Sequence, residues 1–224
     1  IHGSQPLPTE TLELSGVSYR SVGVGGGHWC ANSTAGNIYC MGASAYGQCG
    51  ATSCDSPTEM DDLPSAYLQR PYLGRTHTCA FDRNSREIHC WGEDIEEQLG
   101  TIDYDGTPTR GSVSIDMADG TQMTVGANHG CAIDNNGKLW CWGDNEAGQL
   151  GIGEANSTNH ASKQEVGRTL DFTYKDVAAG NSFTCAIRAG DGDRGVYCWG
   201  SDSHEQLGNG SETAQTSPSA VMCP

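Results

Sequence analysis

The sequence predicts an all-β protein built from four repeats of about 50 residues. Three observations carry this. Cysteines recur in the pairs Cys30/Cys40, Cys79/Cys90, Cys131/Cys141 and Cys185/Cys198, and the first members are 49, 52 and 54 residues apart. Each pair brackets a short β-prone run, a turn cluster and a second β-prone run, the pattern of a hairpin. Glycine accounts for 31 of 224 residues, about double the ~7% of average usage, and Gly or Pro interrupts nearly every window a helix would need.

The third repeat shows the unit most clearly. Residues 126–151 read GANHGCAIDNNGKLWCWGDNEAGQLG. If Cys131 lies opposite Cys141, Ile133 pairs with Leu139 and Asn135-Asn136-Gly137 forms the tip, where the last position wants a positive φ that glycine takes without penalty. The other copies are GGGHWCANSTAGNIYCMGASAYGQCG (25–50), GRTHTCAFDRNSREIHCWGEDIEEQLG (74–100) and GNSFTCAIRAGDGDRGVYCWGSDSHEQLG (180–208). A glycine, His-Thr-Cys-Ala, a turn, Cys-Trp-Gly and Gly-Gln-Leu-Gly together resemble the regulator of chromosome condensation repeat. The resemblance covers four copies and implies a β-propeller with one four-stranded blade per repeat, here as a closed ring or as an open, assembling array. The family usually has seven blades. Its members include a nuclear exchange factor for a small GTPase, ubiquitin-ligase modules and a secreted inhibitor of beta-lactamases.

Along the chain, the lead-in with Pro6 and Pro8 precedes strand material at Leu12–Leu14 and Tyr19–Val22. Gly23–Gly27 is too glycine-rich for a regular strand, and a phosphate loop is disfavoured because no helix start or lysine follows. The first repeat carries Met41 where the others carry Trp91, Trp142 and Trp199, and Cys49 where they carry Leu99, Leu150 and Leu207. Ser56-Pro57-Thr58, Thr107-Pro108-Thr109 and Thr216-Ser217-Pro218 read as openings of the next unit, and an outer strand is expected near Leu170–Phe172. The repeats then span 9–54, 55–103, 104–156 and 157–212, with 213–224 as a surplus blade-opening strand. Such an unpaired edge is expected to find a partner, closing the ring or adding to a neighbouring chain as a head-to-tail filament.

The net charge is −16, and Lys138, Lys163 and Lys175 are the only lysines. Without a basic run there is nothing to displace counterions from phosphate, so no nucleic-acid partner is expected. No stretch of 18 apolar residues is present, so no helix is expected to insert in a membrane. The cysteines lack the spacing of a zinc site. Directly opposed residues of an antiparallel pair stand close enough for a disulfide, so four cross-strand bonds are expected. A local loop disulfide between Cys49 and Cys54 is the simplest expectation, which leaves Cys223 free or intermolecular; a bond from Cys223 to Cys49 or Cys54 is the alternative. Disulfides persist in oxidising compartments, which points to a secreted, extracellular protein. Sequons at Asn32, Asn156 and Asn209 agree, as acceptors of N-linked glycans. Asn32 takes an apolar strand position, so it either faces solvent or carries its glycan there. The chain opens at Ile1, as expected for a processed protein or a fragment.

His28, His77 and His129 stand two residues before the first cysteine, but the fourth repeat has Phe183 there; a position that accepts Phe serves packing or hydrogen bonding. Gln48, Gln98, Gln149 and Gln206 recur and are expected to satisfy backbone groups between blades. Asp103–Gly106 and Asp191–Asp193 read as Asx turns in place of calcium loops, and His204-Glu205 as a turn. No catalytic motif, metal site or cofactor site is evident. The expected function is therefore a non-enzymatic binding or self-assembling module, partnered by another protein or by copies of itself. The alternative is a secreted inhibitor that caps an enzyme through face loops. An exchange factor would need a reducing compartment, and a hydrolase lacks a motif.

Overall fold

The computed structural model describes residues 16–51, 53–60, 68–100, 109–117, 122–155, 159–190 and 195–222. These form four antiparallel sheets of four strands, each an up-and-down meander, with no helix among the described residues. The first blade is β1 (Tyr19–Val24), β2 (His28–Ser33), β3 (Ile38–Gly42) and β4 (Cys54–Glu59). The second is β5 (Tyr72–Leu73), β6 (His77–Asp82), β7 (Glu87–Gly92) and β8 (Thr109–Ser114). The third is β9 (Met123–Val125), β10 (His129–Ile133), β11 (Leu139–Gly143) and β12 (His160–Glu165). The fourth is β13 (Thr173–Ala179), β14 (Phe183–Ala189), β15 (Val196–Gly200) and β16 (Gln215–Ala220).

The hairpin between the second and third strands of each blade forms as the sequence predicts. Cys131 pairs with Cys141 and Ile133 with Leu139, and Gly137 takes φ 77° at the tip. Asp134 closes this turn by accepting the Asn136 and Lys138 amides at 2.8 and 3.0 Å.

The repeat boundaries differ from the expected ones. The Pro-bearing segments do not open the next blade; they close their own. Cys54–Glu59 pairs with β3, Thr109–Ser114 with β7 and Gln215–Ala220 with β15. The segment assigned to 213–224 as surplus thus supplies, at Gln215–Ala220, the fourth strand of the fourth blade instead of opening a fifth. A fourth strand has one neighbour, so its proline costs no ladder bond. Leu170 lies in a turn and the adjacent strand begins only at Thr173, with Asp171 at φ 47°.

The hydrophobic core lies between blades. One cluster joins Cys30, Ile38 and Cys40 of the first blade to Ala80 and Trp91 of the second. A second joins Cys79, Phe81, Ile88, Cys90 and Leu99 to Met123, Ala132 and Trp142. A third joins Cys131, Ile133, Leu139, Cys141 and Leu150 to Val177, Ala186 and Trp199. Each blade therefore has a trailing face, carrying the cysteine pair, and a leading face, and in the second, third and fourth blades the leading-face tryptophan covers the previous blade. The first strands β1, β5, β9 and β13 lie side by side along the inner rim, and the arc of four sheets does not close.

Glycine sets the spacing at that rim. Gly126 lies under its own repeat's imidazole and against the next blade: an added Cβ would stand 2.2 Å from His129 Cε1 and 2.7 Å from the Gly180 carbonyl oxygen. Gly74 has the same contacts with His77 and Gly126. The chains then meet through Gly26 N to Gly74 O, Arg75 N to Ala127 O and Ala127 N to Asn181 O, each at 3.1 Å. Gly126→Ala is expected to destabilise the fold by roughly 1–3 kcal/mol through overpacking, read as a lower urea midpoint with unchanged slope. An unchanged midpoint would show that the rim yields freely.

Candidate functional site

The recurring polar residues gather at the seams between blades. His28 Nε2 lies 2.7 Å from Thr78 Oγ1, and that hydroxyl donates to the Gln48 carbonyl at 2.9 Å. His129 Nε2 lies 2.9 Å from Thr184 Oγ1, which donates to the Gln149 carbonyl at 3.0 Å. The histidine of one blade thus meets the threonine of the next, and the hydroxyl closes on the backbone of the histidine's own blade. Trp142 and Trp199 add indole N–H donors to the Gln98 and Gln149 carbonyls at 3.1 and 2.9 Å.

The middle seam departs from this pattern. Gly130 stands where Thr78 and Thr184 stand, and a Cβ there would lie 2.4 Å from the Trp142 ring. The indole fills the hydroxyl's place, and both ring nitrogens of His77 are left without a protein partner. Burial pushes the imidazole pKa down to about 4 in His28, about 3 in His77 and about 4 in His129. Nearby His129 and His28 lower His77 further. These side chains are neutral packing elements.

The glutamine side chains act within their own turns, and only their carbonyls act between blades. The Gln48, Gln98, Gln149 and Gln206 Oε1 atoms accept the amides of Tyr46, Glu96, Ala147 and His204 at 2.8–2.9 Å. The residue before each glutamine has positive φ: Gly47, Glu97, Gly148 and Glu205. His204-Glu205 is accordingly one copy of this turn. On equivalent turns of the first two blades, Tyr46 and Ile95 stand exposed.

Cys30–Cys40, Cys79–Cys90, Cys131–Cys141 and Cys185–Cys198 are bonded across strands with Cα atoms 4.1 Å apart. Cys49–Cys54 closes a loop at 6.5 Å. Two sequon asparagines lie in places that differ from the expected ones. Asn32 is 3% exposed and its Nδ2, the atom a glycan would occupy, donates to the Leu68 carbonyl at 2.6 Å. Asn209 is 7% exposed, and its Oδ1 accepts the Ser211 amide at 2.9 Å. An apolar slot in the first seam has been filled by an amide whose Nδ2 donates across it to a backbone carbonyl of the next blade, so Asn32 does not face solvent. Asn156, Cys223, Asp103–Gly106 and Asp191–Asp193 lie outside the described residues.

The two ends of the arc show what the seams cover. On the leading face of the first blade, Val24 pairs with Trp29, Val22 with Ala31, and Trp29 with Met41; Val22 and Val24 are exposed. On the trailing face of the fourth blade, Ile187 pairs with Val196 beside the Cys185–Cys198 bond. Val196 is exposed and Phe183, Cys185 and Ile187 are half-buried, whereas Ile38, Ile88 and Leu139 at the Val196 position are fully covered. Sequence reasoning missed Thr78, Thr184 and these end faces. The available signal was that threonine follows histidine out of phase by one repeat.

The description "Regulator of chromosome condensation (RCC1) repeat" matches residues 121–149 and 174–206, and a second form of it matches 136–187. The chain is 29% identical to the ultraviolet-B receptor UVR8 of Arabidopsis thaliana over 194 residues, covering 83% of this chain and 42% of the receptor. It is 28% identical to the probable E3 ubiquitin-protein ligase HERC4 of Homo sapiens over 222 residues, covering 96% of this chain and 20% of the ligase. Among solved structures, human WBSCR16 superposes with a TM-score of 0.75 at 21% identity, over 92% of this chain and 54% of that one. Prp20p of Saccharomyces cerevisiae gives 0.75 at 18% identity, over 90% and 50%. The chain spans less than half the length of these curated relatives and about half of these solved chains. With repeat matches in its third and fourth blades, homologues along most of its length and this propeller architecture, the chain belongs to the regulator of chromosome condensation repeat family.

Proposed function

We propose that this chain is an extracellular, disulfide-stabilised, non-enzymatic binding module whose partner is another protein or a further copy of itself. The observation that carries the reading is the use of the recurring polar residues: His28, His129, Thr78, Thr184 and the glutamines are engaged in seams and turns, so what the chain offers a partner is its surface. Tyr46 and Ile95, on neighbouring turns of an acidic rim that includes Glu93, Glu96 and Glu97, supply an apolar anchor with a charged surround. Such anchors dominate protein interfaces. Yeast Prp20p binds Gsp1p and histones and has Kap60 bound to it, which supports a protein partner. The net charge of −16 favours a basic surface on it over nucleic acid. Five disulfides support an oxidising home, with Asn156 the remaining sequon for a glycan.

The test is isolation from the natural source under thiol-blocking conditions, with a photo-crosslinker at position 95. We expect no label on the ten paired cysteines, a mass loss of one glycan on deglycosylation, and a cross-linked protein that Tyr46→Ala releases. Ten labelled thiols would place the chain in a reducing compartment and remove the extracellular reading. Loss of enzymatic activity in the captured partner would favour the inhibitor reading.

A further inference from the structure

The four turns that join the third and fourth strands share one backbone. In each, an amide three residues on closes on the carbonyl of Ser44, Asp94, Asn145 or Asp202, at 3.0 Å. Three of the turns also share a cap. Asp94, Asn145 and Asp202 turn a side-chain oxygen onto the amides of Leu99, Leu150 and Leu207 at 2.8, 3.1 and 2.9 Å. That ties the start of the turn to the fully buried leucine at its end.

The first blade lacks the cap and carries a disulfide in its place. Ser44 stands where the carboxylate or amide stands, and a hydroxyl ends one bond closer to the backbone. Its Oγ donates to the Ala51 carbonyl instead of accepting an amide. Cys49 stands where the leucines stand and is bonded to Cys54, five residues on. Cys54 opens β4 opposite Gly42, so the bond anchors the end of the turn to the outer strand. The connection is also shorter here: it covers 43–53, against 93–108, 144–159 and 201–214 in the other blades. Cap, leucine and loop length thus change together, in one blade, at this bond.

The bond is placed to open without loss of the sheet. The other four bonds join opposed residues inside a hairpin. Cys49 belongs to no strand, and β3 and β4 pair independently of it through Tyr39 with Glu59 and Cys40 with Thr58. Cys49 and Cys54 are buried, but Ser53 and Asp55 on either side of Cys54 are exposed. A local opening of the turn is enough to present that sulfur. The two thiols would stay five residues apart, and so short a loop closes again at little cost in entropy.

We propose that Cys49–Cys54 is a redox-sensitive latch on the Tyr46 turn, which a dithiol reductant opens in the folded protein, freeing residues 43–51. A thiolate of the reductant bonds to Cys54 Sγ and breaks the S–S bond. Cys49 leaves as a thiolate and takes a proton from water. The second thiol of the reductant gives up its proton and displaces Cys54, which is protonated in turn. Two electrons pass to the protein, and the reductant ends as its own disulfide. Tyr46 is exposed on that turn, and Gln48, between it and Cys49, supplies the carbonyl to which Thr78 donates across the first seam. Opening the latch therefore loosens the Tyr46 half of the partner surface and its link to the blade that bears Ile95. This effect on binding rests on the reading of that surface proposed above.

Hydrogen exchange of the full chain tests this at the Tyr46, Gly47 and Gly50 amides, which donate within the turn at 2.8–3.0 Å. The parent chain, with and without dithiothreitol, is compared with Cys49→Ser/Cys54→Ser and with that variant carrying Ser44→Asn. Asparagine restores the cap, since Asn145 both accepts the Leu150 amide and donates to the Glu154 carbonyl at 2.9 Å. Dithiothreitol is used at a concentration that leaves Cys79–Cys90 and Cys131–Cys141 bonded. We expect it to speed exchange of the three amides roughly tenfold while β2 and β3 keep their rates, and reoxidation to reverse the change. Cys49→Ser/Cys54→Ser should exchange fast without reductant, and the added Ser44→Asn should slow it again. Equal exchange in the oxidised parent and the double variant would overturn the proposal. So would protection of β2 and β3 lost together with the turn, a Cys49–Cys54 bond that opens only after the covered pairs, or a Ser44→Asn change that restores nothing. None of these outcomes involves a partner, so the latch and the binding reading can fail separately.

Discussion

Complete reduction should unfold this protein at 25 °C. Each cross-strand bond closes a loop of 10, 11, 10 or 13 residues, and the loss of chain entropy on closing a loop of that size stabilises by roughly 2.5 kcal/mol. Four such bonds sum to about 10 kcal/mol, comparable to the whole stability of an ordinary domain, about 5–15 kcal/mol. Hairpins of this kind could survive reduction if each blade had a core of its own. Here the apolar side chains of a blade find their partners across the seam, so losing one blade strips the cover from the next. Reduced and alkylated protein should therefore show one cooperative loss of structure. A reduced protein with the same thermal midpoint and β signal as the oxidised one would show that the seams suffice without the bonds.

Acid should weaken the fold well before the carboxylates titrate. His28, His77 and His129 are held neutral by burial, with pKa values of about 4, 3 and 4, whereas in the unfolded chain an imidazole takes its proton near pH 6.5. Below that pH the unfolded state binds more protons than the folded one, so stability falls as the pH falls. The contribution is complete above about pH 6.5 and is lost progressively down to about pH 3–4. At about 1.36 kcal/mol per pKa unit, the two fully buried residues, His77 and His129, together forfeit on the order of 6 kcal/mol at pH 4. Urea midpoints measured from pH 7.5 to pH 4 read this directly. His77→Phe should flatten the dependence and keep stability at neutral pH, because neither ring nitrogen of His77 has a partner to lose and Phe183 already occupies that position over Gly180. A flat profile in the parent chain would mean that the imidazoles are hydrated.

What could be read from the sequence was local. Cys131, Cys141 and the Asn-Asn-Gly tip lie within one hairpin, so their pairing follows from turn chemistry alone. The phase of the repeat was not legible for a physical reason. Gln-Thr-Ser-Pro-Ser-Ala in β16 has no apolar alternation and carries a proline, so it reads as a connection, yet an edge strand needs neither feature on its open side. The inner strands fail in the opposite way: Tyr72–Leu73 is too short to register as a strand at all. The seam chemistry joins residues such as His129 and Thr184, 55 positions apart, and becomes visible only when each blade is laid on the next. Asn32 was misplaced because a sequon says nothing about burial, and its partner, the Leu68 carbonyl, belongs to the following blade.

Each of the first three blades is covered by the next, whereas the trailing face of the fourth is open among the described residues. The order in which the disulfides yield to limiting reductant tests it most directly, at a concentration where the chain is monomeric. Cys185 is half-buried on the open trailing face, while Cys79–Cys90 and Cys131–Cys141 lie fully buried beneath Trp142 and Trp199. With alkylation and peptide mapping along the time course, Cys185–Cys198 should open first and the two covered bonds should open together, only as the protein unfolds. Opening of Cys131–Cys141 ahead of Cys185–Cys198 in the folded protein would contradict the seam as the source of this fold's stability.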